Sequence, residues 1–141
     1  QEWQKLKKLS IIKMIPKELP DILKLAEIRM KHLHAGGWHG FYKWPKTFID
    51  WLIAEIDEVK VEFEEEKRVF LEDELGDVFW DYICLLDSLE LNGKISKQKV
   101  FERCYAKFSE RLNVIDGSDN GDWQEVKKKQ KERLMSEQNS L

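Results

Sequence analysis

The apolar residues of this chain recur at helical spacing, and nowhere do they alternate with polar residues at period two. A core built from such a pattern has to be built from helices. The punctuation marks five segments and a tail helix. The first, about Glu2 to Met14, carries Trp3, Leu6, Leu9, Ile11 and Ile12 and stops before Pro16, because the residue ahead of a proline is pushed away from helical geometry. The second runs from about Pro20, tolerated in a first turn, to His34, where Gly36-Gly37 ends it. An unusually aromatic connection follows, with Trp38, His39, Phe41, Tyr42 and Trp44. Thr47, with Asp50 three residues on, reads as a capping box that opens a third helix, about Phe48 to Glu65. The fourth spans about Val69 to Leu91 and closes at Asn92-Gly93. Ser96 is positioned to cap a fifth, carrying Val100, Phe101, Tyr105, Phe108 and Leu112. A polar turn from Asp116 to Asp122 then leads into a charged helix from about Trp123. The expected architecture is an all-α antiparallel bundle, one domain over 1–141, with neither repeat nor dividing linker.

Composition removes several function classes. Lys and Arg number 24 against 27 Asp and Glu, a net charge of -3, so the basic field that attracts nucleic acid is absent. No apolar run approaches the roughly 18 residues that span a bilayer. No signal-peptide pattern opens the chain, which starts at Gln1, an opening compatible with processing or trimming. Two cysteines, Cys84 and Cys104, make no disulfide framework and point to a reduced, cytoplasmic protein. Both are read as small core residues.

Two acidic pairs constrain function most. Glu55 and Glu58 lie three apart on the third helix, and Glu74 and Asp77 three apart on the fourth; residues so spaced share a helix face. The interval between the pairs suffices to end one helix, turn and begin an antiparallel neighbour. In a chain with 36% charged residues, solvated side chains are the default expectation, but helical phase opposes it. At about 100° per residue, Glu55 falls beside Trp51, Leu52 and Val59, and Glu74 beside Leu71, Val78 and Leu85. Carboxylates flanking a core-facing stripe repel one another and lose hydration unless protonated or neutralised. A divalent cation neutralises them, and an all-oxygen donor set suits Mg²⁺ or Mn²⁺.

Other metal readings fail. No His follows a Glu by three residues, as di-iron bundles require. The stretch from Asp116 imitates an EF-hand start but has Lys127 at the twelfth position instead of the bidentate Glu, and is read as a surface turn. His32, His34 and His39 have no standard zinc spacing and are read as surface or loop histidines.

The motif Glu55-x-x-Glu58, its spacer, and Glu74-Leu-Gly-Asp77 within the run Glu72 to Asp81 resemble the MazG family of nucleoside triphosphate pyrophosphohydrolases. This family belongs to an all-α superfamily that also holds dimeric dUTPases and phosphoribosyl-ATP pyrophosphohydrolases. The similarity is clearest over 33–134. It implies an active site between two helices, with Glu55, Glu58, Glu74 and Asp77 as catalytic and Mg²⁺-holding residues. It also implies a homodimer, which suits a small bundle with 6 Trp and 7 Phe. Downstream, Lys107-x-x-x-Arg111 matches the family's phosphate-binding Lys and Arg, and Trp123-x-x-x-Lys127 its C-terminal Trp and Lys, associated with base stacking and phosphate contact. Trp38 and Trp44 line the same pocket or belong to the core. The implied reaction splits a nucleoside triphosphate between its α and β phosphorus atoms. One departure is Ala54, where many members carry a second glutamate. It keeps open a non-catalytic metal- or nucleotide-binding bundle or a partner-binding module. Within the enzyme class, a dUTPase-like specificity is the alternative.

Overall fold

The computed structural model describes residues 2–36, 45–115 and 122–141, without the side chains of residues 2–4, 6, 7, 114 and 115. Among these residues it contains six helices and no strand: α1 (Glu2–Met14), α2 (Leu19–Ala35), α3 (Lys46–Glu64), α4 (Arg68–Leu91), α5 (Lys97–Ile115) and α6 (Trp123–Asn139). The all-α expectation holds. The aromatic connection through Trp38, His39 and Trp44, and the polar turn that opens at Asp116, lie outside the described residues.

The helices group into two compact units, Gln1–Ile95 and Ser96–Leu141. In the first, α4 packs against both α2 and α3. Ala26, Met30 and Leu33 of α2 and Phe48 of α3 are buried with Ile83, Cys84 and Leu86 of α4. Full burial of such side chains stabilises by about 1.5–3 kcal/mol each. Buried residues on the second half of α4 also include Asp81, Asp87 and Ser88. At helical phase these six point all round the axis, so this is the enclosed part of the helix. By contrast, Leu9, Ile11 and Ile12 of α1 are exposed, and among the described residues α1 packs on no other helix.

In the second unit α5 and α6 pack on each other around the buried Val126 and Gln130. Gln130 ties the pair together: its Nε2 donates to the Lys107 carbonyl at 3.1 Å, and its Oε1 accepts from Arg111 Nε at 2.9 Å. A two-bond Arg103–Glu137 pair and an Arg133–Glu110 pair cross the same two helices. These are exposed, and such pairs contribute only about 0–1 kcal/mol; the buried glutamine matters more for register.

Helix ends follow local chemistry. Ser96 Oγ accepts from the Lys99 N–H at 3.3 Å, as expected of a cap. The end of α4 is a Schellman turn: Gly93, at φ 69, bonds to the Glu90 carbonyl and Lys94 N–H to that of Leu89. The start of α3 corrects the Thr47–Asp50 capping box. Pro45 is the N-cap, with no side-chain cap bond, and its carbonyl accepts from Phe48 and Ile49 N–H. Thr47 therefore sits inside the first turn, two residues too late to cap.

The end of α3 repeats the Schellman pattern with a residue ill suited to it. Glu66 occupies the left-handed position at φ 54, its N–H bonding to Phe63 and that of Lys67 to Glu62. A side chain there costs roughly 1–2 kcal/mol, part of which glycine returns as chain entropy. Glu66→Gly is expected to raise unfolding stability by roughly 0.5–1 kcal/mol in urea denaturation. A loss of stability would show that the carboxylate holds this turn.

Two further expectations are corrected. Cys84 is fully buried, and burial pushes its thiol up to about 12, so it is an inert core residue; Cys104, however, is exposed, because α5 turns that face outward. His34 is not a loop residue: it lies in α2, half-buried, with Nε2 3.2 Å from Ser88 Oγ on α4. His32 is exposed.

Candidate functional site

On α3 helical phase divides the surface into three adjoining sectors. Phe48, Leu52 and Val59 face α4 and are buried or half-buried. Glu55, Glu58 and Glu62 line one flank of that stripe. Ile49, Ile53, Ile56 and Phe63 line the other and are exposed. A short connection from α3 to α4 makes the helices antiparallel neighbours, so the acidic flank of α3 meets Glu74 and Asp77 of α4.

The result is a convergence of acid groups. Glu55, Glu58 and Glu74 each bring a carboxylate oxygen within 4.8 Å of the others. Glu55 and Glu74 are half-buried and Glu58 exposed. Asp77 is exposed and stands outside this closest group, yet its charge acts on Glu55 and on Glu74. Burial is the largest cause that lifts the Glu74 carboxyl, to about 7; hydrogen bonding to Glu58 and the charges of Glu58, Asp77 and Glu55 add to it. Burial, followed by Glu58, Asp77 and Asp81, raises Glu55 in the same direction.

A cation fits this donor set on structural grounds. Glu55 Oε2 and Glu74 Oε2 are buried without a hydrogen-bond partner, a costly condition for a carboxylate. Glu62 Oε2 is similarly buried, but Glu62 has the charge of Lys67 close by. Among the described residues, no protein cation plays that part for Glu55 or Glu74. The oxygen-only donors match a hard divalent ion.

Asp81 stands outside this closest group, as Asp77 does, and was not singled out in the sequence. It lies one turn beyond Asp77 and two beyond Glu74 on the same face of α4. Only 7% of it is exposed, and its charge reaches Glu55. The i+4 spacing from Asp77 was the available signal.

The other expected site residues belong to the second unit. Arg111 lies over the Trp123 ring at 5.4 Å and over the Phe108 ring at 5.6 Å. With Nε bonded to Gln130, its guanidinium is held in place, while its Nη groups have no hydrogen bond among the described residues. Lys107 is half-buried and Lys127 exposed. A cavity of about 270 Å³ between α5 and α6 is lined by Lys107, Gln130 and the pairs Arg103–Glu137 and Arg133–Glu110. Those pairs are internally neutralised, so it offers an anion little. A second, wholly apolar groove is lined by Leu52, Ile53, Ile56, Val78 and Tyr82. Neither hollow contains the acidic cluster, so chemistry and not concavity marks the site.

No curated protein and no solved structure matches the chain. A family model does: the MazG nucleotide pyrophosphohydrolase domain, over residues 43–115. The matched segment takes in α3, α4 and α5, and with them Glu55, Glu58, Glu74, Asp77, Lys107 and Arg111; Trp123 and Lys127 lie beyond it. Because the match spans just over half of the sequence and contains both halves of the acidic cluster, the chain belongs to the MazG nucleotide pyrophosphohydrolase domain family.

Proposed function

We propose that this protein hydrolyses nucleoside triphosphates, ribo or deoxy, between the α and β phosphorus atoms, releasing a nucleoside monophosphate and pyrophosphate in a Mg²⁺-dependent reaction. The observation that carries this reading is the convergence of Glu55, Glu58 and Glu74 within 4.8 Å, with orphaned oxygens on Glu55 and Glu74. Glu55, Glu58, Glu74 and Asp77 hold the cation, with Mn²⁺ an acceptable substitute. When bound, a divalent ion of this kind screens phosphate charge and makes an attacking water more acidic. Glu58, the most exposed of the three converging carboxylates, takes the water's proton as general base. Half-burial of Glu55 and Glu74 limits competing hydration and strengthens each charge interaction at the site.

In the second unit, Arg111 is the residue best prepared to bind phosphate. Its guanidinium is oriented by Gln130 and two rings and keeps Nη donors uncommitted, which suits bidentate contact with an oxyanion. Lys107 and Lys127 bind phosphate as point charges, and Trp123 offers an indole face for a base.

The test is incubation of purified protein with Mg²⁺ and each nucleoside triphosphate, followed by product identification. Monophosphate with pyrophosphate is expected. Diphosphate with inorganic phosphate, or binding without turnover, would overturn the reading; strong preference for dUTP would place the enzyme with the dUTPase-like branch.

We also propose that the active form is a homodimer, assembled through α3. Ile49, Ile53, Ile56 and Phe63 are 43%, 59%, 42% and 70% exposed and recur at the spacing of a coiled-coil seam. Such a stripe, continuous with the apolar groove at Leu52 and Tyr82, is unusual on a monomer's surface. Ile53→Asp is expected to convert a dimer to monomer in sedimentation or light scattering at micromolar concentration. An unchanged mass for this variant would exclude the α3 face from the interface.

A further inference from the structure

An amide side chain has two unlike ends, one that accepts and one that donates, so its partners decide which way it points. Gln130 is buried on α6, 7% exposed, and both of its partners belong to α5. The Lys107 carbonyl can only accept, and it takes the amide N–H at 3.1 Å. Arg111 Nε can only donate, and it gives to the amide oxygen at 2.9 Å. The two contacts demand the same orientation of the amide, and neither survives its reversal. They lie one helical turn apart on α5, so a single side chain holds the main chain at one expected phosphate-binding residue and the guanidinium of the other. The Phe108 and Trp123 rings, which the guanidinium overlies at 5.6 Å and 5.4 Å, restrict it in a second direction.

We propose that Gln130 is a positioning residue for Arg111, fixing the guanidinium through Nε so that its Nη donors meet the phosphate oxygens of a triphosphate already ordered. The inference rests on the reading of Arg111 as a phosphate-binding group. It gives a role to a residue outside the segment that the family model matches. Arginine gives up much rotamer freedom when it is held in one geometry. A seat built during folding removes that cost from the binding step. A neutral acceptor is also the right kind of partner, because it orients the guanidinium without cancelling its charge. A carboxylate at position 130 would pair with the guanidinium and set an oxygen, instead of a donor, against the Lys107 carbonyl. If Gln130 served only to hold α6 on α5, its loss would lower stability and leave anion affinity of the folded protein unchanged.

The experiment measures binding of inorganic tripolyphosphate by calorimetry, in chelator so that only protein cations are available to it. It compares the full chain with Gln130→Met, Gln130→Glu, Arg111→Met and the double variant of Arg111→Met with Gln130→Met, each checked for helicity by circular dichroism. Gln130→Met, close in volume but without either contact, is expected to bind about three- to tenfold more weakly, the range that ordering one such side chain corresponds to. Gln130→Glu is expected to lose at least about tenfold, because it also neutralises the arginine. If Gln130→Met does not fold, Gln130→Glu, which retains the shape, carries the comparison. The double variant should bind no more weakly than Arg111→Met, since Gln130 reaches the anion only through Arg111. Its melting temperature should still fall further, through the lost Lys107 contact. Parent affinity in the folded Gln130 variants, or a loss in the double variant that adds in full to that of Arg111→Met, would overturn the proposal. Tripolyphosphate binding is read without turnover, so failure of nucleotide hydrolysis would overturn the proposed function and leave this inference standing. Failure of the parent to bind tripolyphosphate would overturn the inference and leave hydrolysis to its own product assay.

Discussion

Glu74→Gln is expected to lower Mg²⁺-dependent pyrophosphate release at least about a hundredfold, the upper end of what loss of one metal-site partner costs. The substitution keeps side-chain volume and removes the charge at a carboxylate whose Oε2 is buried without a partner. The amide also presents N–H donors where a cation needs oxygen. Unfolding is not the expected cause of the loss. The Glu74 carboxyl is held up to about 7, first by burial and then by Glu58, Asp77 and Glu55; removing its charge relieves the fold. The metal-free variant should therefore melt at or above the parent temperature. Glu72→Gln is the matched control, since Glu72 is exposed and bonded to Arg68 at 2.9 Å, and its turnover should stay within about twofold of the parent, as surface changes do. Unchanged release by a folded Glu74→Gln protein would remove α4 from the site.

Most of what positions this site was readable because it depends on neighbours along the chain. Caps at Ser96 and Asn92-Gly93, the tolerated Pro20 and the three-residue spacing of the acids are all local signals. Phase alone placed Glu55 and Glu74 beside apolar stripes, and both are half-buried. The misreadings arise where a second element decides. Cys84 and Cys104 look alike in sequence, yet α4 is enclosed at Cys84 and α5 exposes Cys104. His34 was read as a surface or loop residue because nothing in its own helix announces Ser88, 54 residues away. The seating of Arg111 between Trp123 and Phe108 likewise requires α6 to fold back on α5. Asp81 was passed over for the same reason: its spacing from Asp77 was visible, but its burial comes from the packing around α4. Thr47 is a different kind of miss, since a good capping residue stood two residues beyond Pro45, whose carbonyl starts the helix.

In the absence of metal, the protein is expected to become less stable as pH rises from about 5 to 8. Glu74 titrates near 7 in the folded chain against an ordinary 4.5, and Glu55 and Asp81 are shifted in the same upward direction. Over this interval the folded state binds more protons than the unfolded one, so the linkage slope is negative: stability is greatest while these carboxyls are protonated and declines as they ionise. Glu102 and Glu137 carry the opposite shift, lowered chiefly by hydrogen bonds from Lys99 and Arg103 respectively. Their contribution is lost only on acidification below the ordinary carboxylate range, outside the interval considered. Thermal melts in chelator across pH 5–8 measure the slope. Comparison with Glu74→Gln isolates the contribution of this carboxyl, and the variant's slope should be shallower. Saturating Mg²⁺ should flatten or reverse the decline, because the ion takes the place of the protons and binds more tightly as they leave. A metal-free melting temperature that climbs steadily to pH 8, identical in parent and Glu74→Gln, would mean that the acids on α3 and α4 do not crowd one another, and the case for a cation between them would go with it.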